Sequence, residues 1–167
     1  MPKLPTSFEP LPRSGVSFIE VLISVMITGI IASIAMPVYA NSLLRYRAEV
    51  SAQRIAQDIA QTSRCARQTN SSRTITFTQN VHSYTISSLS SLDRASATYS
   101  VNLTQAPYHS AFASLATAAQ PATPLSTLSI VFDRFGMPDQ GVSVSIKAGT
   151  AQKRVDVAPT TGKVSVQ

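Results

Sequence analysis

The chain of 167 residues holds a single cysteine, Cys65, so no disulfide can close within it. Cys65 reads as a small apolar residue on a helix. There are two histidines, His82 and His109, and neither has a cysteine or an acid at metal-ligand spacing. Both read as loop or strand-edge residues, and no metal is expected. No glycine-rich phosphate loop and no G-x-S-x-G elbow occur. Asp133, Asp139 and Asp156 lie in or beside turn sequences, where an aspartate usually accepts backbone amides. Enzyme chemistry and a bound cofactor are therefore not expected. Charged residues make up only 13% of the chain against 44% hydrophobic, little charge for a wholly soluble protein.

Much of that imbalance lies in one place, since Val21 to Ala40 carries no charge at all. About 20 residues of helix span about 30 Å, enough to cross a bilayer. At the head of this run stands Glu20, inside the stretch Arg13-Ser14-Gly15-Val16-Ser17-Phe18-Ile19-Glu20. A carboxylate entering hydrocarbon costs about 2.5–3.5 kcal/mol and implies a partner. The apolar run offers none, so the natural partner is a cation made by cutting, a new α-amino group at Val16. Two plainer readings use the same residues. The run can be an ordinary anchor, or a secretory signal peptide cut after Val38-Tyr39-Ala40, although it exceeds a typical signal core.

The pattern resembles the class III signal of type IV pilins and pseudopilins. The resemblance implies that a prepilin peptidase cuts after Gly15 and that Val16 becomes the methylated first residue, at a position where the family most often has Phe. It implies that Glu20 meets the amino terminus of a neighbouring subunit during assembly. Gly29 and Pro37 stand where the family commonly has a helix glycine and a kinking proline. Many major type IV pilins close a C-terminal loop with a disulfide; the single Cys65 points away from that group.

With the leader (1–15) and apolar segment (16–40) set aside, about 127 residues remain, one ordinary domain. Lys3, Arg13 and Glu9 fall in the leader, so the mature chain carries one positive charge fewer than the whole chain's +6. A basic chain can meet nucleic acid or anionic lipid, but here the charge is spread rather than gathered in a run. Lys3 and Arg13 on one side of the apolar segment nearly balance Arg45 and Arg47 on the other. Beyond the segment, Leu44, Ala48, Ala52, Ile55, Ile59 and Ala66 form one apolar stripe, broadened by Val50 and Ala56. Arg45, Arg47, Arg54, Asp58, Arg64 and Arg67 fall largely off it, and the arginines read as a solvated face. Helix is expected from about Ser17 to Gln68, roughly 75 Å long with a bend at Pro37, its outer half (41–70) following the membrane half.

From Arg73 the period changes to two. Ile75 and Phe77, then Tyr84 and Ile86, flank a hairpin turn at Asn80-Val81, and Tyr99, Val101 and Leu103 alternate next. Ser110 to Thr127, rich in Ala, Ser, Thr and Pro, reads as a long exposed loop. Alternation resumes at Leu128, Ile130 and Phe132, at Val142, Val144 and Ile146, at Val155 and Val157, and at Val164 and Val166. The expected fold class is α+β: a long N-terminal helix packed against a small antiparallel β head (71–167).

Ile130-Val131-Phe132-Asp133-Arg134-Phe135-Gly136-Met137-Pro138 is similar to the F-D-x-x-G-x-P segment of the GspH/FimT family. The ending from Arg154 to Val164 is similar to that family's last hairpin. The resemblance implies a minor pseudopilin of a type II secretion pseudopilus or, alternatively, a minor type IV pilin acting in pilus assembly or DNA uptake. It implies a single-pass inner-membrane protein with a periplasmic head, later drawn into a fibre. Implied partners are other pilins through the N-terminal helix, the prepilin peptidase and an inner-membrane assembly platform. Nucleic acid is not an expected partner. Lys147, Lys153, Arg154 and Lys163 can offer four cations at most, the tail has no stacking aromatic, and Gly162-Lys163 stands where DNA-binding relatives cluster arginines.

Overall fold

The computed structural model describes residues 15–90, 98–120 and 125–167; the leader lies outside the described residues apart from Gly15. Helix α1 runs Phe18–Thr69. The strands are β1 Arg73–Thr78, β2 Ser83–Ser90, β3 Thr98–Asn102, β4 Ala111–Thr117, β5 Thr127–Phe132, β6 Val142–Ala148, β7 Ala151–Val157 and β8 Val164–Val166. Helix α1 continues through Pro37. It stops where Asn70 turns left-handed at φ 49°: the Ser71 amide reaches back to Ala66 O at 3.2 Å and the Asn70 amide to Arg67 O at 3.4 Å. That double closure satisfies carbonyls the last turn would leave bare.

The chain divides into two units, one ending at Tyr39 and the other spanning Ala40–Gln167. In the first, every residue from Val16 to Tyr39 is exposed. In the second, Ala48, Ala52, Ile55, Ile59 and Ala66 are buried, recurring at helical spacing as a single stripe. Against it lie two antiparallel four-stranded sheets, ordered β3-β2-β1-β5 and β4-β6-β7-β8. In the first sheet Ile75 pairs with Ile86 and Ile130, and Phe77 with Tyr84 and Leu128, so the inward rows align across strands. In the second, Val144 pairs with Val155 and Leu115, and Val142 with Val157. The α+β class is as expected, with two sheets forming the head. Each fully buried Ile or Phe contributes about 1.5–3 kcal/mol.

One expectation fails. The stretch from Ser110 to Thr127 is not a long exposed loop, because it contains β4, with Phe112 and Leu115 buried. A register shift between Phe112 and Ser114 breaks the period of two, so the inward residues fall three apart. This strand also links the sheets: the Phe112 amide donates to His82 Nδ1 at 3.2 Å, and the Phe112 ring meets Phe77 edge-on at 5.9 Å.

A second difference lies on the helix. Asp58, which falls off the apolar stripe in the sequence, is buried. Its Oδ2 accepts the Tyr84 hydroxyl at 2.5 Å and the Tyr99 hydroxyl at 2.7 Å, and Arg54 Nε lies 3.3 Å away. Arg54 also donates to the Tyr99 oxygen. This cluster ties α1 to β2 and β3. At the far end of the helix, Ser63 donates to Gly136 O at 2.8 Å. Gly136 has φ +74°, and a Cβ there would lie 2.8 Å from both Ser63 oxygens and 2.9 Å from Arg67 Nε. Asp133 Oδ1 accepts the Phe135 and Met137 amides, holding the turn. The outer edge of β5 is occupied by side chains. Asp139 Oδ1 accepts the Val131 amide at 3.0 Å, and Gln140 Nε2 donates to Ser129 O at 2.9 Å.

Burial first, then the Asp58 bond, pushes the Tyr99 hydroxyl up to about 12; burial and the Asp58 charge push Tyr84 up as well. An unfolded tyrosine loses its proton near pH 10, so above that the unfolded chain holds fewer protons than the fold. This contribution is complete below about pH 10 and is lost as pH rises toward about 12. Urea unfolding of the full chain in detergent should show stability falling across that window, with a smaller fall in Tyr99→Phe. Asp58→Ala, which strands two hydroxyls and a guanidinium, should lose about 3 kcal/mol in the same assay. Gly136→Ala should lose about 1–2 kcal/mol or more, since it adds a left-handed penalty to a clash with backbone.

Candidate functional site

The first unit carries a carboxylate, Glu20, on an apolar helix. Gly15, Val16 and Ser17 precede α1, and the Ser17 carbonyl accepts the Glu20 amide at 3.0 Å and the Val21 amide at 3.3 Å, opening the first turn. Glu20 thus falls in that turn, where the positive end of the helix dipole favours an acid. Phe18, Ile19, Val21, Leu22, Ile23, Val25 and Met26 surround it and all are exposed. The hydroxyls on this stretch turn inward upon their own helix: Ser24 donates to Glu20 O, Thr28 to Ser24 O and Ser33 to Ile30 O, each at 2.8 Å. They therefore ask nothing of the surroundings, as suits an apolar medium. Among the described residues Glu20 has no ion-pair partner.

Val16, Glu20, Val21, Ser24, Val25, Thr28, Gly29 and Ala32 line one open groove of about 540 Å³ along the helix. Nothing lies within 4 Å of where a Cβ on Gly29 would stand, so a neighbouring backbone can come close there. Pro37 has no amide hydrogen, so the Ser33 carbonyl lacks its helical donor. Val16, Glu20 and Gly29 thus share one groove, while Pro37 lies outside it. The helix is long and apolar enough to cross a membrane.

The four cations singled out for nucleic acid are distributed along the second sheet. Lys153 pairs with Glu49 at 3.0 Å, and its hydrogen bond draws the Glu49 carboxyl below the ordinary range. Arg154 pairs with Asp156 at 2.9 Å, and Asp156 also accepts the Ser143 hydroxyl. Lys147 lies in β6 near the β6–β7 turn, whereas Lys163 precedes β8 at the opposite end of β7. Among the described residues no three His, Cys, Asp or Glu side chains are grouped to hold a metal ion. The residue the sequence reading missed is Asp58; its signal is Arg54 four positions earlier, but its tyrosine partners come from distant strands.

No protein-family model matches the chain, and no curated protein matches it by sequence. Among solved structures it is similar to the type IV minor pilin FimU of Pseudomonas aeruginosa, with a TM-score of 0.51 and 9% identity, over 74% of this chain and 90% of that one. At that identity the likeness is one of fold: a long N-terminal helix on an antiparallel head, the type IV pilin fold.

Proposed function

We propose that this chain is a minor subunit of a type IV-class filament, a structural protein rather than an enzyme. The observation that carries the reading is the exposed apolar stretch of α1, with Glu20 as its one charge, on the helix that also forms the core of a folded head. The fold likeness to a minor pilin supports it. Removal of a leader after Gly15 by a prepilin peptidase gives Val16 a free amino group. That group pairs with Glu20 of an adjacent subunit, each offsetting the other's desolvation in a helix bundle. Gly29 lets the helices approach, and the unmatched carbonyl opposite Pro37 gives the bundle a place to bend. Before extraction by an inner-membrane assembly platform the helix spans the inner membrane, with the head in the periplasm.

The GspH/FimT-like segment around Phe132-Asp133 supports a place in a type II secretion pseudopilus. A minor type IV pilin is the second reading, favoured by the neighbour's own designation. Deletion that abolishes protein secretion but leaves surface pili supports the first; the reverse supports the second. DNA uptake has less support, because two of its four candidate cations are already engaged with carboxylates.

Intact-mass measurement of membrane-extracted protein should give a chain beginning at Val16; a start at Met1 or Asn41 overturns the reading. Glu20→Ala should insert and be cut normally, yet be depleted at least about ten-fold from purified fibres, the factor for about 1.4 kcal/mol. Incorporation at the wild-type level would refute the pairing.

A further inference from the structure

The cations that the sequence spreads along the chain are partly regrouped by the fold at one end of the second unit. The β6–β7 turn closes on the first turns of α1 in that unit: a Cβ on Gly149 would lie 2.9 Å and 3.1 Å from the two methyls of Leu44. Leu44 is four residues past Ala40, so this is the end through which the apolar segment leads into the head. On one side of the turn a groove of about 320 Å³ is lined by Arg45, Tyr46, Glu49, Gln152 and Lys153. On the other, an open groove of about 540 Å³ is lined by Thr104, His109, Lys147 and Gly149. Arg45 and Lys147 are exposed, and neither lies within ion-pair distance of a carboxylate among the described residues. Glu49, the acid in the first groove, is engaged by Lys153. Arg47 adds a further cation on the helix, so positive charge exceeds negative by three. Tyr46 in the first groove is exposed, a side chain suited to a bilayer interface.

We propose that this end of the head binds anionic phospholipid headgroups, with lipid phosphate received beside Arg45 and Lys147 in the two grooves flanking the β6–β7 turn. The inference rests on the reading that the apolar half of α1 spans a membrane. Arg45 then stands five residues, about 8 Å of helix axis, beyond Ala40, within a Debye length of the lipid phosphates. Guanidinium, ammonium, the Tyr46 hydroxyl and the Gln152 amide supply donors, and phosphate oxygens supply acceptors. A subunit held in this way keeps its head against the bilayer until extraction strips the lipid from it.

The test uses the full chain in phosphatidylcholine vesicles containing a minor fraction of phosphatidylglycerol. Spin-labelled forms of the two lipids report their relative association with the protein. The wild type should prefer phosphatidylglycerol about five-fold or more, the effect of even one interfacial cation. Arg45→Gln/Lys147→Gln should lower that ratio at least about five-fold, Lys163→Gln at the far end of β7 should leave it unchanged, and salt of roughly 1 M should abolish the preference. Equal association of both lipids by the wild type, or a preference that the double substitution leaves unchanged, overturns the inference. Failure of the chain to float with pure phosphatidylcholine vesicles overturns the spanning reading and this inference together; flotation without lipid preference overturns the inference alone.

Discussion

One helix carries two kinds of surface, and the remainder of the structure is arranged around that division. Up to Tyr39, α1 is apolar on all sides, its hydroxyls bonded to its own carbonyls. From Ala48 onward it keeps only a narrow apolar stripe, buried by two sheets. Every residue of the first half from Val16 to Tyr39 is exposed, and the run is long and apolar enough to cross a membrane. The second half is complete within a single chain.

Small polar groups set how the head grips the helix. The stripe of Ala52, Ile55 and Ile59 is smooth enough to tolerate rotation or sliding, but Asp58 is not. Its carboxylate must meet two hydroxyls from two different strands, and Arg54 must reach the same point. Ser63 and Gly136 fix the other end, where the glycine lies too close to the helix for any side chain. Apolar burial provides most of the stabilisation. These bonds select one alignment out of several that the apolar surfaces alone would permit.

Much of this was legible in the amino-acid order because the dominant patterns are regular. The stripe at helical spacing gave the helix to within a residue at each end, and unbroken alternation located β1, β5, β6, β7 and β8. β4 was hidden for a definite reason: its bulge puts Phe112 and Leu115 out of phase, and the residues around them are the small ones that also make loops. Asp58 was hidden because burial there is decided by Tyr84 and Tyr99, far along the chain. Pairing order was also out of reach, since a strand's alternation gives its two faces but not its neighbours. Of the groove on the first half of α1, the acid and the glycine were plain in the sequence. The inward-turned hydroxyls of Ser24, Thr28 and Ser33 emerged only in the fold.

The edge of β5 has a bearing on how heads can associate. An uncovered border of a sheet invites another chain to add a strand, and secreted fibres are sometimes knitted that way. Here Asp139 and Gln140 already occupy the Val131 and Ser129 backbone groups that a guest strand would need. A guest strand is therefore denied that seam. Should heads pack side by side as the proposed subunit requires, a meeting along β5 runs through side chains, which can slide and re-form where a continuous ladder would lock.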